Sequence, residues 1–182
     1  MDAAPLLSGS GEARGQQVQV RGTVERPAGL LRTPNGKSAV LVRYHGCKGR
    51  EGGPGAFSPW RWELHATDFC VRGADGREVW VDTRSILLLP HPPPVDSRSL
   101  GELRPLHVHI GQEEGAPLSW IYDEEIIAPG QRVEVVGRLD LEPHPDGSAG
   151  SDRQPRLRPI LRGTPGEPVL VRRYVPTEPE MP

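Results

Sequence analysis

Large rings are scarce in this chain: two Phe, three Tyr and four Trp among 182 residues. A core filled mainly by aromatic side chains is excluded, and the interior must come from Val, Leu and Ile. Cysteine is scarcer still. Cys47 and Cys70 allow one disulfide at most and form no C-x-x-C pair, so neither a disulfide framework nor a clustered zinc knuckle is encoded; reduced thiols are expected. No apolar run approaches the ~18 residues of a membrane-spanning helix, and the opening "MDAAPLLSGSGEARG" lacks a basic segment followed by a long apolar one. A soluble, cytoplasmic protein is the expectation. Charge of one sign is missing too: 22 basic against 24 acidic residues leave a net charge of -2, which removes the long-range attraction to phosphate that a dedicated nucleic-acid binder uses. Lysine is nearly absent, with only Lys37 and Lys48, an arginine bias that fits a GC-rich bacterial genome.

The chain does have Val, Leu and Ile in short runs, punctuated by 22 Gly and 21 Pro. That is strand grammar. In "VQVRGTV" the residues Val18, Val20, Gly22 and Val24 share one face and Gln19, Arg21 and Thr23 the other, the period of a half-buried strand. Gly22 interrupts the apolar face, as at a bulge or the corner of a small barrel. Asn35-Gly36 marks a tight turn before "AVLVRYHG", and Asp75-Gly76 closes the clearest hairpin, between "DFCV" and "EVWV". In "WRWELHA" the face made by Trp60, Trp62, Leu64 and Ala66 is expected to point to the core. "GCKGREGGPGAFSP" reads as a long exposed loop over 46–59, and "LLLPHPPPVD" ends in a polyproline linker.

Further along, Val133, Val135, Gly137 and Leu139 repeat the pattern of Val18 to Val24 after a turn at Pro129-Gly130, and "VLVRRY" echoes "AVLVRYHG". The expected architecture is mostly β: a small OB-like or β-barrel module of two related halves packed together. Its boundaries are a tail at 1–16, a domain at 17–174 with possible halves 17–95 and 100–174, and a Pro-rich tail at 175–182.

The spread of "VRGTV", Trp60 and Trp62, Phe69, the Asp75-Gly76 turn and "YDEEIIAPGQRVEVVGRL…RLRPILRGTPGEPVLV" resembles the GIDE-type domain, also called BAM or beside-a-membrane. That domain occurs in mitochondrial ubiquitin ligases and in bacterial proteins. The resemblance covers about residues 17 to 174 and is most specific at Tyr122, Glu124, Gly130, Gly137, Arg156, Leu157 and Pro159. It implies a β module used for binding or sensing, with Gly22, Trp62, Phe69, Asp75, Gly76, Tyr122, Gly130 and Gly137 in structural roles. The ligases' flanking membrane helices and Cys/His-rich RING finger have no counterpart here, so ligase activity does not carry over.

Catalytic signatures are missing. No G-x-S-x-G or H-E-x-x-H occurs, and "GREGGPG" lacks the Gly-Lys-Ser/Thr ending of a phosphate loop. His107 and His109 stand two apart on a strand and are the weak metal candidates; zinc needs three or four ligands, and His45, Cys47, His65 and Cys70 are the residues that would have to complete the set. Asp123, Glu124 and Glu125 read as a solvated acidic corner. No cofactor is expected. The expected function is a non-enzymatic interaction or assembly module with a protein partner. Its contacts come from the loops at 46–59 and 143–155 with "PHPPP": Lys48, Arg50 and Phe57 in the first, Arg153 and Arg156 in or beside the second. The alternatives are an OB-like single-strand binder, using Trp60 and Trp62 flanked by Arg61, and a metal-dependent enzyme.

Overall fold

The computed structural model describes residues 14–50, 61–89, 107–113, 116–144 and 157–174, with backbone alone for 48–50, 107–113 and 116–121. Thirteen strands and no helix occur among them: β1 Gln17–Glu25, β2 Leu31–Arg32, β3 Ser38–Ala39, β4 Leu41–Arg50, β5 Arg61–Ala66, β6 Phe69–Arg72, β7 Glu78–Val81, β8 Ile86–Leu88, β9 His107–Glu113, β10 Ala116–Ile127, β11 Arg132–Pro143, β12 Leu157–Arg162 and β13 Val169–Arg173. The protein is a mostly β, barrel-like module.

The larger sheet runs β1-β6-β7-β12-β11-β13-β8, and a further β1–β11 pairing bends β1, β6, β7, β12 and β11 into a partly closed ring. All its pairs are antiparallel except β7–β12 and β8–β13. Two glycines permit the closure. Strand β1 lies along β11 as far as Thr23 and along β6 from Thr23 onward. At this change of partner a Cβ on Gly22 would stand 2.2 Å from the Arg72 carbonyl oxygen, so only glycine fits. Gly137 does the same for β11, which pairs with β13 up to Val136 and with β12 from Arg138; there the side chains of Val169 and Leu161 fill the space a Cβ would take.

Inside the ring, alternation delivers Val18 and Val24 from β1, Phe69 and Val71 from β6, Val79 and Val81 from β7, Val133, Val135 and Leu139 from β11, and Leu161, Val169 and Val171 from β12 and β13. Each fully buried aliphatic or Phe side chain contributes about 1.5–3 kcal/mol before the entropy of ordering is subtracted. Phe69 is wholly buried, as expected, and the Asp75-Gly76 turn forms, with Gly76 at φ 77° and the Arg77 N–H donating to Asp75 Oδ1. The two echoing segments are neighbours in this one sheet: Val18 stands opposite Gly137, and Gly22 opposite Val133.

A four-stranded antiparallel sheet, β5-β4-β10-β9, joins the ring through Leu41 and Ile127, which belong to the same core. The β2–β3 hairpin, turned by Gly36 at φ 76°, adds Leu31 and Ala39 to a small second cluster with Val42, Tyr44 and Tyr122. Tyr44 and Tyr122 meet edge to face, 5.4 Å apart at 85°. Strand β4 continues to Arg50, opposite Leu118, so residues 46–50, expected to open an exposed loop, are strand. The long partner β10 holds this Gly-containing stretch extended in spite of its composition.

Candidate functional site

Register places charged and aromatic residues in rows across the smaller sheet. Arg43 stands between Leu64 and Glu125, and His45 between Trp62 and Asp123. Cross-strand partners share a face, so these six side chains make one surface. Glu125 is 4% exposed and pairs with the Arg43 guanidinium, itself 12% exposed. Asp123, also buried, lies with Oδ2 3.5 Å from His45 Nδ1. On the opposite face the Lys37 ammonium donates to Glu124 Oε1 at 2.7 Å. The acidic run is therefore not the solvated corner that its composition suggests. Alternation sends its carboxylates to two faces of a central strand, where cations from β4 and the β2–β3 hairpin compensate the buried charge.

Trp62 corrects a second expectation. Its ring is 53% exposed instead of forming core. It stacks on His45, with centroids 3.9 Å apart at 15°, and the Arg43 guanidinium sits 4.8 Å from its centre. The cause lies in β5, which is an edge of the smaller sheet and has only β4 beside it among the described residues. Its Trp62–Leu64–Ala66 face reaches the core at Ala66 alone.

Beside this face runs an open groove of about 650 Å³ between β5 and β8, lined by Leu31, Leu64, Ala66, Ile86, Leu87, Pro165 and Pro168 with His65, Thr83, Arg84 and Ser85. Leu64 and Leu87 are 36% and 43% exposed. Arg43 reaches across from β4 to β8, donating from Nη1 to the Leu88 carbonyl at 2.9 Å. Arg84 stands on the rim with its side chain 80% exposed, held from behind by buried Asp82. Hydrogen bonding from Arg84, outweighing burial, keeps the Asp82 carboxyl below its ordinary range.

A second hollow of about 170 Å³ lies at one end of the ring, where Arg21, Arg72, Arg132 and Tyr174 converge beside Glu25. Its cations are already engaged: Arg21 donates to Glu134 at 2.7 Å, Arg72 reaches Glu25 and Glu78, and Arg132 lies over the Tyr174 ring. Burial alone would raise the Glu134 carboxyl, but Arg21 and Arg172 together pull it below its usual value.

Most expected contact residues fall outside what the structure describes. Lys48 and Arg50 are on β4 with side chains outside the described residues, and Phe57, Trp60, Arg153, Arg156 and "PHPPP" lie wholly outside them. His107 and His109 occupy β9 opposite Tyr122 and Trp120, again by backbone alone. Among the described residues no three His, Cys, Asp or Glu side chains gather to hold a metal, and Cys47 and Cys70 are free and buried. The residues transferred by resemblance divide: Tyr122 is fully buried and Gly130 turns β10 into β11 at φ 82°, whereas Leu157 is 54% exposed.

No protein-family model, curated protein or solved structure matches the chain. No helix among the described residues is long and apolar enough to cross a membrane.

Proposed function

We propose that this protein is a non-enzymatic interaction module, and that its partner protein docks where β5 meets β8. One observation carries the reading: Leu64 and Leu87 are exposed in an open groove, and Trp62, two residues from Leu64 on the same face of β5, is exposed as well. A large aromatic anchored by stacking, next to aliphatic contacts and a charged rim at Arg84, has the composition of an interface centre. The loop surface expected from the sequence lies largely outside the described residues. The GIDE-type resemblance supports the same use, since that domain serves as a binding or sensing part. Comparing proteins retained from native cells by the wild type and by Trp62→Ala/Leu87→Ser tests it. A specific partner lost with the folded double variant is the expected result, and equal retention by both overturns it.

A second reading has one observation in its favour. The open Trp62 ring, backed by His45 and Arg43, is a stacking surface for a base, and the ring order with its single parallel closure β7–β12 fits an OB-like barrel. Binding of a single-stranded 20-mer that falls steeply with added salt and is lost in Trp62→Ala would favour this reading over the first.

A further inference from the structure

We infer that the groove takes its partner as an extended peptide strand laid along β8, with a carboxylate of that peptide on Arg84. This rests on the reading of the chain as an interaction module and specifies the chemistry of what the module holds.

Among the described residues the ladder of β8 is one-sided. The Val169 N–H donates to the Ser85 carbonyl at 2.8 Å, and the Leu89 N–H to the Val171 carbonyl at 2.7 Å. In this parallel register Val169 lies opposite Ile86 and Val171 opposite Leu88, so Ser85, Leu87 and Leu89 turn their backbone groups to β13. Ile86 and Leu88 turn theirs the other way, toward β5. The Leu88 carbonyl is taken there by Arg43. Ile86 offers its N–H and C=O to the groove, and β13 is the one strand beside β8 among the described residues. An edge whose Ile86 groups are unmatched among the described residues, facing a trough of about 650 Å³ within the usual range for binding clefts, is suited to an added strand.

Side chains then set the specificity. A peptide strand alternates, so residues on one side of it would meet Leu64 and Leu87. The groove lining contains Arg84 and His65 and no carboxylate. Arg84 gives Nε and Nη2 to Asp82, which fixes the fork in place, and Nη1 makes no hydrogen bond among the described residues. The open Nη1 donor of this pre-positioned guanidinium suits a carboxylate of the partner, and a basic residue finds no acceptor there.

The test uses a phage-displayed library of random octapeptides on the full chain, followed by synthetic, terminally blocked versions of the selected sequences. Enrichment of alternating apolar residues with Glu or Asp is expected. Methylating alternate backbone amides of a selected peptide should weaken it at least tenfold in one register and little in the other. Ile86→Pro removes the groove-facing N–H without touching the β13 ladder and should lower affinity at least tenfold, whereas Ile86→Ala, which removes the same side-chain contacts, should retain it within threefold. Arg84→Ala should remove the preference for acidic over uncharged peptides. Peptides that tolerate every N-methylation, bind as helices or prefer Lys would overturn the strand inference. If those peptides or a native partner still depend on Trp62 and Leu87, the interaction reading survives that failure; if neither depends on them, both fall.

Discussion

Arg43 leaves the four-stranded sheet to donate to the carbonyl of Leu88 on β8, 2.9 Å away, while its other arm pairs with buried Glu125. One guanidinium thus holds the two sheets together and neutralises an interior carboxylate. Replacing it by Met should leave Glu125 charged and buried, at a cost of about 3–5 kcal/mol in urea unfolding. The double variant Arg43→Met/Glu125→Leu should recover most of that loss, because a matched apolar pair needs no compensation. A double variant no more stable than the single one would show that Arg43 acts through the Leu88 bond instead.

Phe69 and Trp62 separate stability from surface. Phe69 is fully enclosed, and Phe69→Ala should cost about 3–5 kcal/mol. Trp62→Ala loses its contacts with His45 and Arg43 and the burial of about half the residue, so its effect on unfolding should stay at about 1–2 kcal/mol. Chemical denaturation of both variants checks the order, and a Trp62 loss as large as that of Phe69 would place the ring in the core after all.

Alternation made the strands legible in the sequence, because residues such as Val18 and Val24 obey it and are buried. Turn chemistry made Gly36, Gly76 and Gly130 legible, and each has the positive φ that its turn needs. The face of β5 was not legible. Trp62 alternates as a core residue would, but the position of its strand at a sheet edge depends on pairings with residues distant in the chain. Glu125 illustrates the same limit: "DEE" reads as solvent-exposed until Arg43, 82 positions earlier, is brought opposite it. The groove between β5 and β8 has no local signature, since its two walls come from different sheets.

The ring-closing glycines should differ in tolerance. A methyl at Gly22 meets backbone at 2.2 Å, whereas one at Gly137 meets the side chains of Val169 and Leu161 at 3.2 and 3.3 Å. Gly22→Ala should therefore unfold the protein or destabilise it beyond the ~1–3 kcal/mol of ordinary overpacking, with Gly137→Ala inside that range. Thermal denaturation of the pair measures the difference, and the reverse order would contradict the packing described for the β1 crossover.

Burial pushes the Cys70 thiol up from its ordinary 9.0 to about 11. A raised thiol contributes stability below its unfolded value and loses it as pH climbs from 9 toward 11, because the unfolded chain releases that proton first. Cys70 should therefore react with an aromatic disulfide reagent at pH 8 only as fast as the protein opens. Rapid labelling of Cys70 in the native protein would show that its strand opens far more readily than the core around it.

Acid should act in the opposite direction through the Arg-paired carboxylates. The Asp82 carboxyl lies below its ordinary 3.8 chiefly because Arg84 hydrogen-bonds to it, and Glu134 lies below 4.5 because Arg21 and Arg172 outweigh its burial. A depressed folded value means that the unfolded chain takes up the proton first as pH falls. The stabilisation is then present above the unfolded value and is lost as pH drops through about 4 and on through the folded one. Unfolding free energy in urea should be nearly level from about pH 7 to 5.5 and should decline below about pH 4.5. Glu134→Gln keeps the shape and removes the titration, so it should be less stable than the wild type at pH 7 and should converge with it in acid. Parallel pH profiles for the two proteins would mean that the Arg21–Glu134–Arg172 contacts contribute nothing to acid sensitivity.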